Sequence, residues 1–385
     1  MTFSLRLKFG CLILLVVSWC LFMIYLVTSL EFQWMPPLPL LQSLQHHSET
    51  GSTEKQDSLP TLLNSPSVQI PLTLPLKPLH QNPTTDSTST ALPPTTTIQV
   101  VMATDSKSLG GLITAINSIL SNTKHNVKFH IVITEEDLPH LKAWIRSSKL
   151  HSISYETHSL SAVGERVQSE LQLVKASFGC IFPDLEGRVI YMDSDVIIQG
   201  DIWELHSVII EPDTFGAFAQ DCSSSSSRMA GAIGRPRYAN FINMKNSRII
   251  NRDINGGLCP FTSGVFVANI TEWKVQGVFE QLQNWLEIHS VEPITGIHPG
   301  VNAVEAAMLI VFYEKVTPLD PLWHVQHLGV GLNSRYSKQF IERAKLLHWS
   351  GHFKPWRHRA AHTEQWDRYF VPDPTLQFRP LRRRG

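Results

Sequence analysis

Between Ile98 and Thr157 the chain alternates short β-branched apolar runs with longer segments of helical periodicity, and no other feature limits its fold as much. "IQVVMAT" (Ile98–Thr104) is apolar at nearly every position, as in a strand covered on both faces. "SLGGLITAINSIL" follows, with Leu109, Leu112, Ile113, Ile116, Ile119 and Leu120 on one helical stripe. "VKFHIVIT" (Val127–Thr134) predicts a second strand. "EEDLPHLKAWIRSS" opens with acids, which suit the positive end of a helix. "HSISYET" (151–157) predicts a third strand by its alternation. The β-α-β-α-β order implies an α/β, Rossmann-like layout with a parallel sheet between helices.

In such sheets ligands collect beyond the carboxyl ends of the strands. Asp105 follows the first strand, where it reads equally well as a ligand contact or as a turn and N-cap residue. Asp193 and Asp195 follow another apolar run, "RVIYM" (Arg188–Met192), within "RVIYMDSDVIIQGD". Two carboxylates separated only by Ser194 repel each other and are costly to desolvate. A hard divalent cation such as Mn²⁺ or Mg²⁺ resolves that repulsion through oxygen ligands.

The N-terminal part has a different texture. "FGCLILLVVSWCLFMIYLVTSL" (9–30) carries no charge and follows Arg6 and Lys8. A bilayer span needs roughly 20 apolar residues, and preceding cations favour a cytoplasmic N-terminus. No small-residue cleavage site follows, so a signal anchor is expected at 9–30 behind a cytoplasmic tail at 1–8. Residues 31–96 contain stretches such as "NSPSVQIPLTLPLKPLHQNP" and "TTDSTSTALPPTTT". Their prolines remove backbone donors, and their composition predicts a disordered stem without a packed core. The formal net charge of zero gives a nucleic-acid partner no electrostatic support. Cys180, Cys222 and Cys259 fall on the oxidising, lumenal side of this topology. Cys222 and Cys259 sit in Ser/Gly-rich stretches and are expected to pair. Asn269-Ile270-Thr271 is the one glycosylation sequon.

Three segments carry a resemblance. "YMDSDVIIQGDIWEL", "FTSGVFVANITEW" (Phe261–Trp273) and "LLHWSGHFKPW" (Leu346–Trp356) together resemble the motifs of family 8 of the nucleotide-sugar-dependent glycosyltransferases. Within that family they are similar to the animal branch of glycosyltransferase 8 domain-containing proteins, a resemblance that covers about Gln99–Pro374. The resemblance implies a GT-A fold for residues 97–375; residues 376–385, which end in "LRRRG", are expected to form a basic tail. It implies that Asp193, Asp195 and His348 hold Mn²⁺ (or Mg²⁺). His348 opens a His-X-X-Gly-X-X-Lys-Pro-Trp signature that continues through Gly351, Lys354, Pro355 and Trp356. Gly351 would let the backbone approach a phosphate, and Lys354 would place a point charge on the donor diphosphate. By the same resemblance Ala103, Thr104 and Asp105 take the uridine of a UDP-sugar, and Ser194 lies between the metal ligands. Thr262 and Ser263 lie near the sugar, with Thr262 replacing the family's usual Asn. Asp221 is expected to hold sugar hydroxyls.

Two segments depart from the family pattern. In "LVKASFGCIFPDL" the nearest cation to the family's donor-contacting Arg is Lys175, which lacks the bidentate fork of Arg. In "VNAVEAAMLIVF", Val304 and Glu305 stand where the family has Asp-Gln, and Glu305 becomes the candidate for stabilising an oxocarbenium-like centre. The expected activity is retaining transfer of a hexose from a UDP-sugar to a glycan, protein or lipid acceptor. The expected setting is a type II protein of the Golgi membrane, with the endoplasmic reticulum as second choice. The two departures motivate a second reading, a member that keeps UDP and metal binding without transfer.

Overall fold

A computed structural model describes residues 96–161, 166–220, 236–298, 300–331, 336–357 and 360–381. The expected anchor at 9–30, the stem up to residue 95, Asp221 and Cys222 lie outside the described residues. Among the described residues no helix is long and apolar enough to cross a membrane.

The strands are β1 (Ile98–Thr104), β2 (Val127–Thr134), β3 (Ser154–Leu160), β4 (Arg188–Met192), β5 (Val196–Ile198), β6 (Gly216–Gln220), β7 (Phe261–Asn269), β8 (Val316–Pro318) and β9 (Leu346–His348). The longer helices are α1 (Leu109–Asn122), α2 (Leu138–Arg146), α3 (Arg166–Ile181), α4 (Val278–Val291) and α5 (Ala303–Val311). Seven strands form one sheet in the order β3-β2-β1-β4-β7-β6-β8. β3, β2, β1 and β4 run parallel, as expected of the Rossmann-like half. β7 is antiparallel to both β4 and β6, so the complete sheet is mixed. Apolar periodicity says nothing about strand direction, and this reversal had no counterpart in the sequence pattern.

The third strand lies three residues beyond its expected position. His151 N and Ile153 N donate to Ser148 O and Leu150 O at 3.3 and 3.1 Å, folding the expected start into turns. The strand itself sits at the sheet edge and is half-exposed, so no buried face pins its register.

β4 lies at the centre of the sheet. Val189 and Tyr191 enter one core, packed with Phe178, Phe218, Phe266 and residues of α4 and α5. Ile190 and Met192 enter the other, with Leu112, Ile116 and Trp144. Full burial of such side chains stabilises by roughly 1.5–3 kcal/mol each, so the strand that carries Asp193 at its tip is held from both faces. Gly264 O then accepts from Asp193 N at 2.9 Å, extending the β4–β7 ladder by one residue.

β5 and β9 form a separate two-stranded antiparallel ladder, with Val196 opposite His348. This short pairing brings the C-terminal signature onto the Asp-Ser-Asp turn. Packing also extends past residue 375. Phe378 lies against Trp144 at 5.4 Å between ring centroids, and Leu381 N donates to Trp356 O at 2.8 Å. The start of the expected tail is therefore part of the folded unit.

Candidate active site

A cleft of about 400 Å³ opens at the carboxyl ends of β1 and β4. Asp193, Asp195 and His348 meet there, with one ligand atom from each within 4.8 Å of the others. His348 Nε2 stands 3.0 Å from Asp195 Oδ1 and 3.9 Å from Asp193 Oδ2. Neighbouring ligands on an octahedral ion with bonds of about 2.1 Å are about 3 Å apart, so this spacing fits a small divalent cation with oxygen and imidazole donors. Gly264 is necessary to the arrangement. A Cβ there would lie 2.7 Å from His348 Cε1 and 3.1 Å from Asp193 Oδ2.

Each carboxylate also faces a lysine. Lys175 Nζ reaches Asp193 Oδ1 at 3.0 Å, and Lys354 Nζ pairs with Asp195 Oδ2 and donates to Trp349 O at 3.0 Å. Asp195 is only 8% exposed. Burial alone would raise its carboxyl, but the charges and hydrogen bonds of His348 and Lys354 outweigh that and hold it well below the ordinary carboxylate range. Tyr191 OH donates to Asp193 Oδ1 at 3.3 Å. Burial, followed by the Asp193 charge, pushes that phenol well above its usual value, so it remains a donor.

Ala103, Thr104, Asp105, Ser194, Thr262, Ser263, Glu305, Gly351 and Lys354 all line the cleft. Asp105 Oδ1 also accepts from Ser108 N at 3.0 Å, so it makes the turn into α1 while facing the cleft. Glu305 lies in the first turn of α5, where Asn302 caps its backbone N–H at 2.9 Å. Gly351 has φ +112, and a Cβ there would lie 2.6 Å from Gly329 O. Trp356 is buried, donates to Lys107 O at 3.0 Å and packs toward Trp366, which makes it a structural residue. Asn269 is exposed at the end of β7, where its side chain caps the following short helix. Cys180 is free and exposed, and Cys259 is disulfide-bonded. The partner of Cys259 lies outside the described residues, as does the expected Cys222.

Several cleft residues escaped the sequence reading. Gln168 and Gln172 line the cleft from α3, at helical spacing from the expected Lys175, which also lines it. That spacing was a usable signal once a helix was assumed over this segment. Asn302 donates to Gln172 Oε1 at 3.3 Å and joins this wall to α5. His324 and Gln326 come from an irregular segment beside β9, and no motif marked them. His324 Nε2 lies 2.8 Å from His348 Nδ1, and its Nδ1 lies 2.7 Å from Thr262 Oγ1.

The fold is GT-A-like, with a mixed central sheet, and comparison with known proteins gives the family. The model of glycosyl transferase family 8 matches residues 99–360. Glycosyltransferase 8 domain-containing protein 1 of Xenopus tropicalis is 38% identical over 300 residues, covering 75% of this chain and 81% of the relative. The human protein of the same name is 37% identical, covering 74% and 80%. Glycosyltransferase 8 domain-containing protein 2 of Bos taurus is 34% identical, covering 73% and 84%. Among solved structures, the bifunctional glycosyltransferase WbbM superposes with a TM-score of 0.50 at 16% identity, over 74% of this chain and 51% of that one, a likeness of fold. The chain therefore belongs to glycosyl transferase family 8 and is a glycosyltransferase with an Asp-X-Asp motif beside His348.

Proposed function

We propose that the chain transfers a hexose from a UDP-sugar to an acceptor hydroxyl with retention of configuration, using a divalent cation, Mn²⁺ by preference. The observation that carries this reading is the convergence of Asp193, Asp195 and His348 from segments more than 150 residues apart on one cleft that also contains Lys354. Bound there, the cation supplies Lewis-acid neutralisation of the charge that grows on departing UDP. Lys354, anchored by Trp349 O, adds a positive charge beside the same diphosphate. Ala103, Thr104 and Asp105 line the end of the cleft suited to the uridine, and Gln168, Gln172 and Asn302 offer neutral hydrogen-bonding groups for sugar hydroxyls. Glu305 presents a carboxylate on the α5 side for a positive anomeric centre. The acceptor enters on the face from which UDP leaves.

The apolar 9–30 segment, the Pro/Ser/Thr-rich 31–96 stretch and the exposed Asn269 support a type II Golgi membrane protein, glycosylated at Asn269, with a lumenal catalytic domain. Incubating the full chain in detergent with Mn²⁺ and a panel of UDP-sugars tests the activity. Release of UDP from one donor, increased by an acceptor, is expected. UDP binding without turnover of any donor favours the non-catalytic reading, and absence of UDP binding contradicts both.

A further inference from the structure

We propose that His324 is a positioning residue of the cation site, setting the tautomer of His348, and that Thr262 supports it by accepting the proton on His324 Nδ1. The inference rests on the reading of Asp193, Asp195 and His348 as a cation site. His348 turns Nε2 toward the two carboxylates, so that nitrogen must offer its lone pair to a cation. A neutral imidazole carries one N–H and one lone pair, which leaves the proton on Nδ1. His348 Nδ1 lies 2.8 Å from His324 Nε2, which must then accept. The proton of His324 is thereby placed on Nδ1, 2.7 Å from Thr262 Oγ1, and the hydroxyl accepts it. With both rings neutral and Nε2 of His348 bound to a cation, any other order sets two lone pairs or two N–H groups face to face.

The row is enclosed. His324 is 1% and His348 5% exposed, so water cannot readily replace a lost partner. Both ends are held by backbone. His324 N donates to Pro321 O at 3.2 Å, Val325 N to Leu346 O at 3.0 Å, and His348 N to Val325 O at 2.8 Å, which holds the two histidine segments side by side. Thr262 belongs to β7, two residues before the Gly264 that admits the His348 ring. A hydroxyl at position 262 thus has a use distinct from any contact with sugar.

Mn²⁺ titration of the full chain in detergent tests the inference, with free ion read by its EPR signal and bound ion by imidazole nitrogen coupling in pulsed EPR. His324→Leu is expected to weaken Mn²⁺ binding about 10–100-fold, the usual cost of removing a partner behind a metal-bound His, and to diminish the nitrogen coupling. His324→Gln can set an amide oxygen where Nε2 stood and should stay within about threefold of wild type. Thr262→Val should weaken binding by about 3–10-fold, and Thr262→Ser should restore it. Wild-type affinity and coupling in His324→Leu overturn the inference, as does a Gln variant no better than Leu. If thermal melting shows His324→Leu unfolded, the Thr262 pair decides, and equal affinities for Val and Ser overturn it. Failure of the underlying site looks different: Asp195→Ala would bind Mn²⁺ like wild type, or the wild type would show no nitrogen coupling.

Discussion

The two sides of the cleft are built from different materials. On the β4–β9 side the side chains are charged and lie at or just beyond strand ends, Asp195 and His348 buried, with Asp193 matched to Lys175 reaching across from α3 and Asp195 to His348 and Lys354. On the α3–α5 side the groups are mainly amides on helix faces, Gln168, Gln172 and Asn302, with Glu305 the only carboxylate among the cleft-lining residues these elements contribute. Removing one member of the first side leaves a buried charge uncompensated, which is expensive. Removing one amide from the second leaves a half-exposed surface that water can solvate. Under the proposed function, the strand side would carry the cation and diphosphate chemistry and the helix side the choice of sugar.

Substitutions can break or sharpen that contrast. Gly264→Ala should have the largest effect, because its Cβ would push His348 and Asp193 off their common point. Mn²⁺ affinity by titration is expected to fall about 100-fold with circular dichroism unchanged. Lys354→Ala should weaken UDP about tenfold in calorimetry, the scale of one charge-assisted hydrogen bond, while Mn²⁺ affinity changes far less. Equal losses of UDP and Mn²⁺ would merge roles kept separate here. Gln172→Ala should leave both affinities unchanged and lower kcat/KM for the preferred UDP-sugar by about three- to tenfold, with a change in the ranking of donors. An Mn²⁺ effect at Gln172 would erase the distinction between the two sides.

The smallest expected effect concerns acid stability. The carboxyl of Asp195 is held below its ordinary range in the folded chain, so the unfolded chain binds more protons as pH falls through about 3.9. Its stabilising contribution is present above that value and is lost progressively below it. Asp195→Asn should therefore unfold with a flatter pH dependence than wild type below about pH 4, measured by denaturant titration. A parallel curve for the variant would contradict the assignment.

The same contrast explains how much could be read before the structure. β1, β2 and β4 have their expected bounds because continuous apolar runs in a sheet covered on both faces leave few alternatives. The three candidate ligands were legible as a resemblance, and the structure brings them together through the β5–β9 ladder. Three-residue strands such as β5, β8 and β9 carry too little pattern to be paired in advance. The antiparallel insertion of β7 was hidden for a related reason, since Val265–Ala268 are buried whichever way the strand runs. His324 was illegible because its use depends on the ring of His348 arriving beside it, which no local spacing encodes.

The central claim is that Asp193, Asp195 and His348 form one cation site through which UDP binds. Calorimetric titration of UDP into the wild type and Asp195→Ala, each with and without Mn²⁺, tests it most directly. UDP should bind the wild type only weakly without Mn²⁺ and strongly with it, and the variant should lose the gain. Tight UDP binding that ignores Mn²⁺ in the wild type, or an undiminished Mn²⁺ gain in Asp195→Ala, would contradict the account.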